Sequence, residues 1–206
     1  MLTVVTDPYE PASGEEPLKL KADVITISRD DPGYNFVNAV VGAQRGDVRA
    51  LRGPGEYEMS GVFITGVAMR VDKKRAEHNA EAAARSTAYS FYYDGLNVVH
   101  LGGLPFVPTQ AQIDALETVD VLLLPVGGGD GLNAAQASEI VSLVEPSIVV
   151  PMHYKVPGLA ATQKLDGVGK FLKEMGLSEA KAQESLKVTK SGLPEDTQVV
   201  VLEVKR

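Results

Sequence analysis

Short apolar runs, each closed by turn residues, mark the chain at residues 2–5, 24–27, 62–67, 87–93, 97–101, 121–126, 148–150 and 198–204. Runs of this length bounded by Gly, Pro, Asn and Asp predict β-strands. Asp94-Gly95, between the fourth and fifth runs, predicts a tight hairpin, because that pair tolerates positive φ. Val121-Leu122-Leu123-Leu124 and Ile148-Val149-Val150 are apolar without alternation, the pattern of strands buried on both faces of a sheet.

Helical signals separate the later runs. Thr109 with Gln112 has capping-box spacing and leads into Ile113 and Leu116. Asn133 with Gln136 repeats the device ahead of Ala137, Ile140, Val141 and Val144, and Pro146 marks the exit. A third helix is predicted near residues 165–175, ended by Gly176. The alanine-rich, charged stretch 73–85 reads as a solvated short helix in preference to a mobile loop. Strands and hairpins therefore come first, then strand–helix–strand units, then a final strand. Two sheets covered by outer helices would bury this set, in an α/β class and in one domain over residues 1–206.

Composition narrows the chemistry. The 206 residues suffice for one well-buried core. Net charge is −7 and the basic residues are scattered, which argues against a nucleic-acid partner. There is no cysteine, so thiolate metal sites and disulfides are excluded. A metal would need Asp, Glu or one of His78, His100 and His153. No apolar run reaches the roughly 18 residues of a membrane span, and no signal peptide is evident, so the expectation is a cytoplasmic protein without a membrane partner.

The most specific stretch is 122–155. It reads Leu-Leu-Leu-Pro-Val-Gly-Gly, then the capped helix and Pro146, then Val-Val-Pro-Met-His-Tyr-Lys. This resembles the metallo-β-lactamase-fold hydrolase superfamily, in the branch similar to L-ascorbate-6-phosphate lactonase. Thr6-Asp7-Pro8-Tyr9, the loop at residues 28–35, Gly55-Glu56-Tyr57-Glu58 and the hairpin at 94–104 fit the family in the same order. The resemblance covers nearly the whole chain and implies a four-layer αββα sandwich, with the first strands shortened. The family site lies at one edge of two sheets. Relatives open with an extra strand pair that this sequence lacks before Thr6, which would expose a sheet edge and invite a homo-oligomer.

The family holds a metal pair with His and Asp, which lowers the pKa of a bridging water. Its first loop reads His-x-His-x-Asp-His; the matching positions here are Arg29, Asp31, Gly33 and Tyr34. The next ligand position is Val71, before Asp72, and the bridging Asp position is Gly103, after His100-Leu101-Gly102. Only the last ligand is kept, as His153 in Pro-Met-His-Tyr. The resemblance thus implies a degenerate metal site and a pseudoenzyme with no metal cofactor. We expect Arg29, with Arg70, to balance the carboxylates a lost dication would leave, since guanidinium pairs bidentately with carboxylate. The retained pocket would take a small anionic ligand through Arg29, Tyr34, Arg70 and His153, with Asp72 and Lys155 nearby, or would serve an assembly role. The alternative is a metal-dependent hydrolase of a lactone or phosphoester, with one zinc or manganese on Asp31, Asp72 and His153.

Plainer readings stand beside these. Asp30-Asp31-Pro32-Gly33 is an ordinary turn sequence. His100 sits in a strand pattern and reads as structural, and His78 as solvated. The glycine-rich stretch 126–131 precedes a helix but lacks the Gly-Lys-Ser/Thr ending of a phosphate loop. It reads as backbone passing close to the pocket.

Overall fold

The structure is a computed structural model that describes residues 2–10, 19–43, 47–70, 86–159, 162 and 164–204. Val71, Asp72, His78 and the stretch 73–85 lie outside the described residues. Among the described residues, the strands are β1 (Val4–Thr6), β2 (Leu20–Ala22), β3 (Val24–Ile27), β4 (Val40–Gly42), β5 (Arg49–Arg52), β6 (Gly55–Met59), β7 (Val62–Met69), β8 (Ser86–Tyr93), β9 (Leu96–His100), β10 (Val121–Pro125), β11 (Ile148–Met152) and β12 (Gln198–Val199). Among the described residues, the α-helices are α1 (Gln110–Asp114), α2 (Ala134–Val144) and α3 (Val168–Glu174).

β6 to β12 form a seven-stranded sheet in the order β12-β11-β10-β9-β8-β7-β6. Pairing is antiparallel from β6 to β9 and parallel from β9 to β12. The change falls where hairpins give way to helical crossovers, since parallel neighbours need a long connection. A three-stranded parallel sheet, β1-β3-β5, packs against it, and β2 pairs with β4 in a separate ladder. The Asp94-Gly95 turn has φ of 52° and 77°, the left-handed pair that a two-residue hairpin requires.

Alternate positions of the central strands feed different cores. Leu122, Leu124, Val149 and Val99 meet Leu116, Ala137, Ile140, Val141 and Phe171 from the helical side. Val121, Ile148 and Val150 point the other way, under Leu186, Val188, Leu193 and Leu202 of the C-terminal segment. Farther along that face, Val62, Ile64 and Tyr89 pack on Val24 and Leu51 of the small sheet. The far side of the small sheet buries Ile25 and Ile27 beneath a 3-10 turn at Val37–Ala39 and the β2–β4 ladder, which contributes Ala22 and Val40. Two packed sheets with helices on the large one are thus observed. Among the described residues, the small sheet's outer layer is this turn and ladder, where the sequence suggested outer helices on both.

Both capping boxes form, at Thr109–Gln112 and Asn133–Gln136. The third helix starts at Val168, later than residue 165, because Asp166 is held as an extended bridge. Its amide donates to the Gly127 carbonyl and its carbonyl accepts from Lys155, both at 2.8 Å. The last strand stops at Val199 instead of continuing to 204. Past it, Gln183 donates to the Val201 carbonyl at 3.0 Å and accepts from Glu203 at 2.9 Å, drawing the backbone away from β11. Strands β2, β4 and β5 have three or four residues each, with Lys21, Val41, Arg49 and Arg52 exposed, too short a pattern to read as strands beforehand.

Candidate functional site

The sheets meet at an edge where β3 ends. The turn after it, residues 28–34, is fastened from several sides. Ser28 donates from its amide to Asp7 Oδ1 at 2.7 Å and from its hydroxyl to Asp7 Oδ2 at 2.6 Å. The same hydroxyl accepts from the Gly103 amide at 3.1 Å, and the Ser28 carbonyl accepts from Thr87 at 3.0 Å. Tyr89, fully buried, places its hydroxyl 3.2 Å from the Ile27 carbonyl and 3.1 Å from that of Leu51. The turn is therefore a fixed platform tied to both sheets. Asp7 and His153 have φ of 46° and 51°, a left-handed backbone that costs energy for residues other than glycine.

Arg29 turns inward, with its side chain 19% exposed. Its Nε lies 3.0 Å from Asp31 Oδ2, and its Nη1 lies 3.4 Å from Asp130 Oδ2 and 3.2 Å from the Gly103 carbonyl. Its guanidinium carbon sits 5.2 Å from the centre of the Tyr34 ring, within cation–π range. Tyr34 hydroxyl and His153 Nδ1 are hydrogen-bonded at 3.0 Å. Arg29, Asp31, Gly33, Tyr34, Gly103 and His153, separated by up to 124 positions, thus share one site.

Gly103 shows how tightly it is filled. A Cβ added there would fall 2.5 Å from Tyr34 Cζ and 2.7 Å from Arg29 Cδ. The ring and the guanidinium stem occupy the space in front of this position.

Burial raises the Tyr34 phenol above its ordinary pKa and lowers the imidazoles of His153 and His100 below theirs. Asp7 is raised, first by burial, while His100, whose Nε2 is 4.0 Å away, and the Ser28 bonds pull the other way. His100 Nδ1 is buried without a partner. Its burial fits the structural reading of that residue.

A cleft of about 470 Å³ opens beside this network. Asp7, Glu10, Asp31 and Asp130 line it together with Tyr9, Tyr34, His153, Met152 and Leu159. Neither Arg70 nor Lys155 is among its lining residues. Arg70 lines a separate cleft with Arg29 and Arg52, and Lys155 is exposed. The single anion pocket expected from Arg29, Tyr34, Arg70, His153 and Lys155 is therefore split, because Arg70 sits at the end of β7 on another side of the platform. Sequence reasoning missed Asp130, the second carboxylate of Arg29, although it lies in the glycine-rich stretch already placed near the pocket. It also missed Asp7 with Ser28, for which the Asp-Pro dipeptide was the available signal.

The residues at the family's ligand positions do not fit a metal pair. Arg29 is a cation, Gly33 and Gly103 offer no side-chain donor, and His153 Nδ1 is engaged by a neutral phenol. Among the described residues, no group of three His, Cys, Asp or Glu side chains is placed to hold a metal ion. Also among them, no helix is long and apolar enough to cross a membrane.

Comparison with known proteins agrees with this fold. Residues 2–153 match the family model described as a beta-lactamase superfamily domain. A UPF0173 metal-dependent hydrolase of Thermococcus onnurineus is 26% identical over 182 residues, covering 77% of this chain and 80% of the relative. Another, from Thermoplasma acidophilum, is 26% identical over 168 residues, covering 73% and 75%. A crystal structure from Thermotoga maritima, assigned as a zinc-dependent hydrolase of the metallo-beta-lactamase superfamily, superposes with a TM-score of 0.71 at 29% identity, covering 99% of this chain and 91% of that one. These relatives carry the UPF0173 and metallo-hydrolase names and do not bring out the L-ascorbate-6-phosphate lactonase branch. The matched span, the two packed sheets and the position of the site at their edge together place the chain in the beta-lactamase superfamily, with a metallo-β-lactamase fold.

Proposed function

We propose that this chain is a non-hydrolysing, metal-independent member of its superfamily that binds a ligand in the cleft beside Tyr34 and His153. One observation carries the reading. The position of the bridging aspartate is Gly103, and the space before it is filled by Tyr34 and Arg29, with gaps of 2.5 and 2.7 Å to an added Cβ. Arg29 pairs with Asp31 and Asp130, so a fixed guanidinium balances carboxylates where relatives would use a dication. Four carboxylates line the cleft, and this one guanidinium pairs with two of them, so the cleft suits a neutral or cationic ligand with an apolar body better than an anion. An assembly role is open through β1, an edge strand of the small sheet. Light scattering that finds only monomer at high concentration would remove that role.

The second reading is a metal-dependent hydrolase, favoured by the names of the relatives. Elemental analysis separates the two. Protein purified without chelator should hold far less than one zinc, manganese or iron per chain. Its thermal midpoint should be unmoved by added zinc or manganese. One tightly held metal per chain, lost in His153→Ala, would overturn the proposal.

A further inference from the structure

A second cleft, of about 290 Å³, lies on another side of the Ser28–Asp30 turn. It is bounded by that turn, by Arg52 to Pro54 at the end of β5, and by the adjoining ends of β7 and β8 at Arg70 and Ser86. Its charge is unlike that of the large cleft. Arg29, Arg52 and Arg70 line it against one carboxylate, Asp30. Arg29 is committed to Asp31 and Asp130, but the other two guanidinia are not. Arg52 Nη1 meets Asp30 Oδ1 at 3.4 Å, longer than the 2.7–2.9 Å of a strong charge-assisted bond, and both side chains are half exposed or more. Arg70 makes no ion pair among the described residues.

A separate observation points the same way. Ser86, 3% exposed, lines this cleft, and its hydroxyl has no hydrogen-bond partner. A buried hydroxyl left unpaired costs about 1–3 kcal/mol, so native structures rarely leave one without a water or ligand oxygen. The unpartnered Ser86 hydroxyl, the Arg70 guanidinium and the loosely paired Arg52 guanidinium, all on residues lining one cleft, define a receptor for several oxygens carrying more than one negative charge.

We propose that this cleft binds a small tetrahedral oxyanion, a phosphate or the terminal phosphoryl group of a larger ligand, held by Arg52, Arg70 and the Ser86 hydroxyl. Neither Arg52, Arg70 nor Ser86 lines the large cleft, so the proposal stands or falls apart from the reading given above. A planar carboxylate would use the guanidinia but leave fewer oxygens for Ser86. A dianion also matches the charge count better, with Arg70 and the loosely paired Arg52 set against one acid, Asp30.

The test is titration of the full chain with inorganic phosphate at low ionic strength, where the screening length is about 30 Å. Calorimetry gives affinity, and amide NMR gives location. Binding should shift the Ser86 and Thr87 amides before those near His153. Arg70→Gln and Arg52→Gln should each weaken binding by about tenfold, equal to about 1.4 kcal/mol. Ser86→Ala should weaken it several-fold, and Lys155→Gln, an exposed cation outside the cleft, should leave it within twofold. Arg70 is exposed, so its substitution keeps the fold, and circular dichroism confirms this for each variant. No phosphate binding, or binding that Arg52→Gln and Arg70→Gln leave within twofold, would overturn the proposal. Parallel titration with a sugar phosphomonoester separates the sources: tighter binding than inorganic phosphate identifies the phosphoryl end of a larger ligand, and equal binding identifies free phosphate.

Discussion

Gly103→Ala tests whether Tyr34 and Arg29 fill the space in front of this glycine. A single methyl is added, and Gly103 lies outside the left-handed region, so alanine brings no backbone penalty there. Its Cβ would sit 2.5 Å from Tyr34 Cζ, 2.6 Å from Tyr34 Cε1 and 2.7 Å from Arg29 Cδ. All three gaps are well under van der Waals separation, so the ring or the guanidinium stem must move. Overpacking of this kind costs about 1–3 kcal/mol. Moving the ring also breaks the 3.0 Å bond to His153, which adds about 1 kcal/mol. The expected loss is therefore roughly 2–4 kcal/mol, read as a lower midpoint in urea with an unchanged slope. A double-mutant cycle assigns the cause. In a Tyr34→Ala background the ring is gone, and Gly103→Ala should cost much less, leaving a coupling of at least about 1 kcal/mol. A change under about 0.5 kcal/mol in the parent chain, typical of a surface site, would show that nothing fills this space and that the pocket has simply decayed.

The remaining predictions concern the Tyr34–His153 contact and pH. Tyr34→Phe should lower stability by about 1 kcal/mol and move the His153 imidazole nitrogen resonances, because Nδ1 loses its partner; unmoved resonances would refute the contact. His100 and His153 are both held below the ordinary histidine value by burial. The unfolded chain therefore takes up protons first as pH falls, so their contribution is complete above about 6.5 and is lost below it. The urea midpoint should drop between pH 7 and 5.5, and His153→Gln should flatten the drop. Asp7, raised by burial, acts in the opposite sense: its contribution is present below 3.8 and is lost as pH rises through its folded value. A midpoint flat from pH 7 to 5.5 would contradict the buried, neutral histidines.

Local signals carried much of the architecture. The Asp94-Gly95 hairpin, both capping boxes and the two continuously apolar strands appear where the pattern put them, because each rests on neighbouring residues. Failures came where distant chain decided the outcome. Asp166 delays α3 by bonding to Gly127 and Lys155, and Gln183 ends β12 early. For the site, the ligand-position comparison named Arg29, Tyr34 and Gly103 as departures from the family pattern. It could not tell how their side chains would pack.

Sequence by itself determined the superfamily, the period of each long element and the chemical poverty of the ligand positions, since these depend on residue type and short spacing. The tertiary structure alone decided that Arg29 and Tyr34 fill the gap before Gly103, that Asp130 supplies a second carboxylate, and that Arg70 faces a different cleft. Those outcomes are set by which face of which strand a side chain leaves from. That direction is fixed only when two sheets pack and the turn after β3 is pinned between Asp7, Thr87 and Gly103.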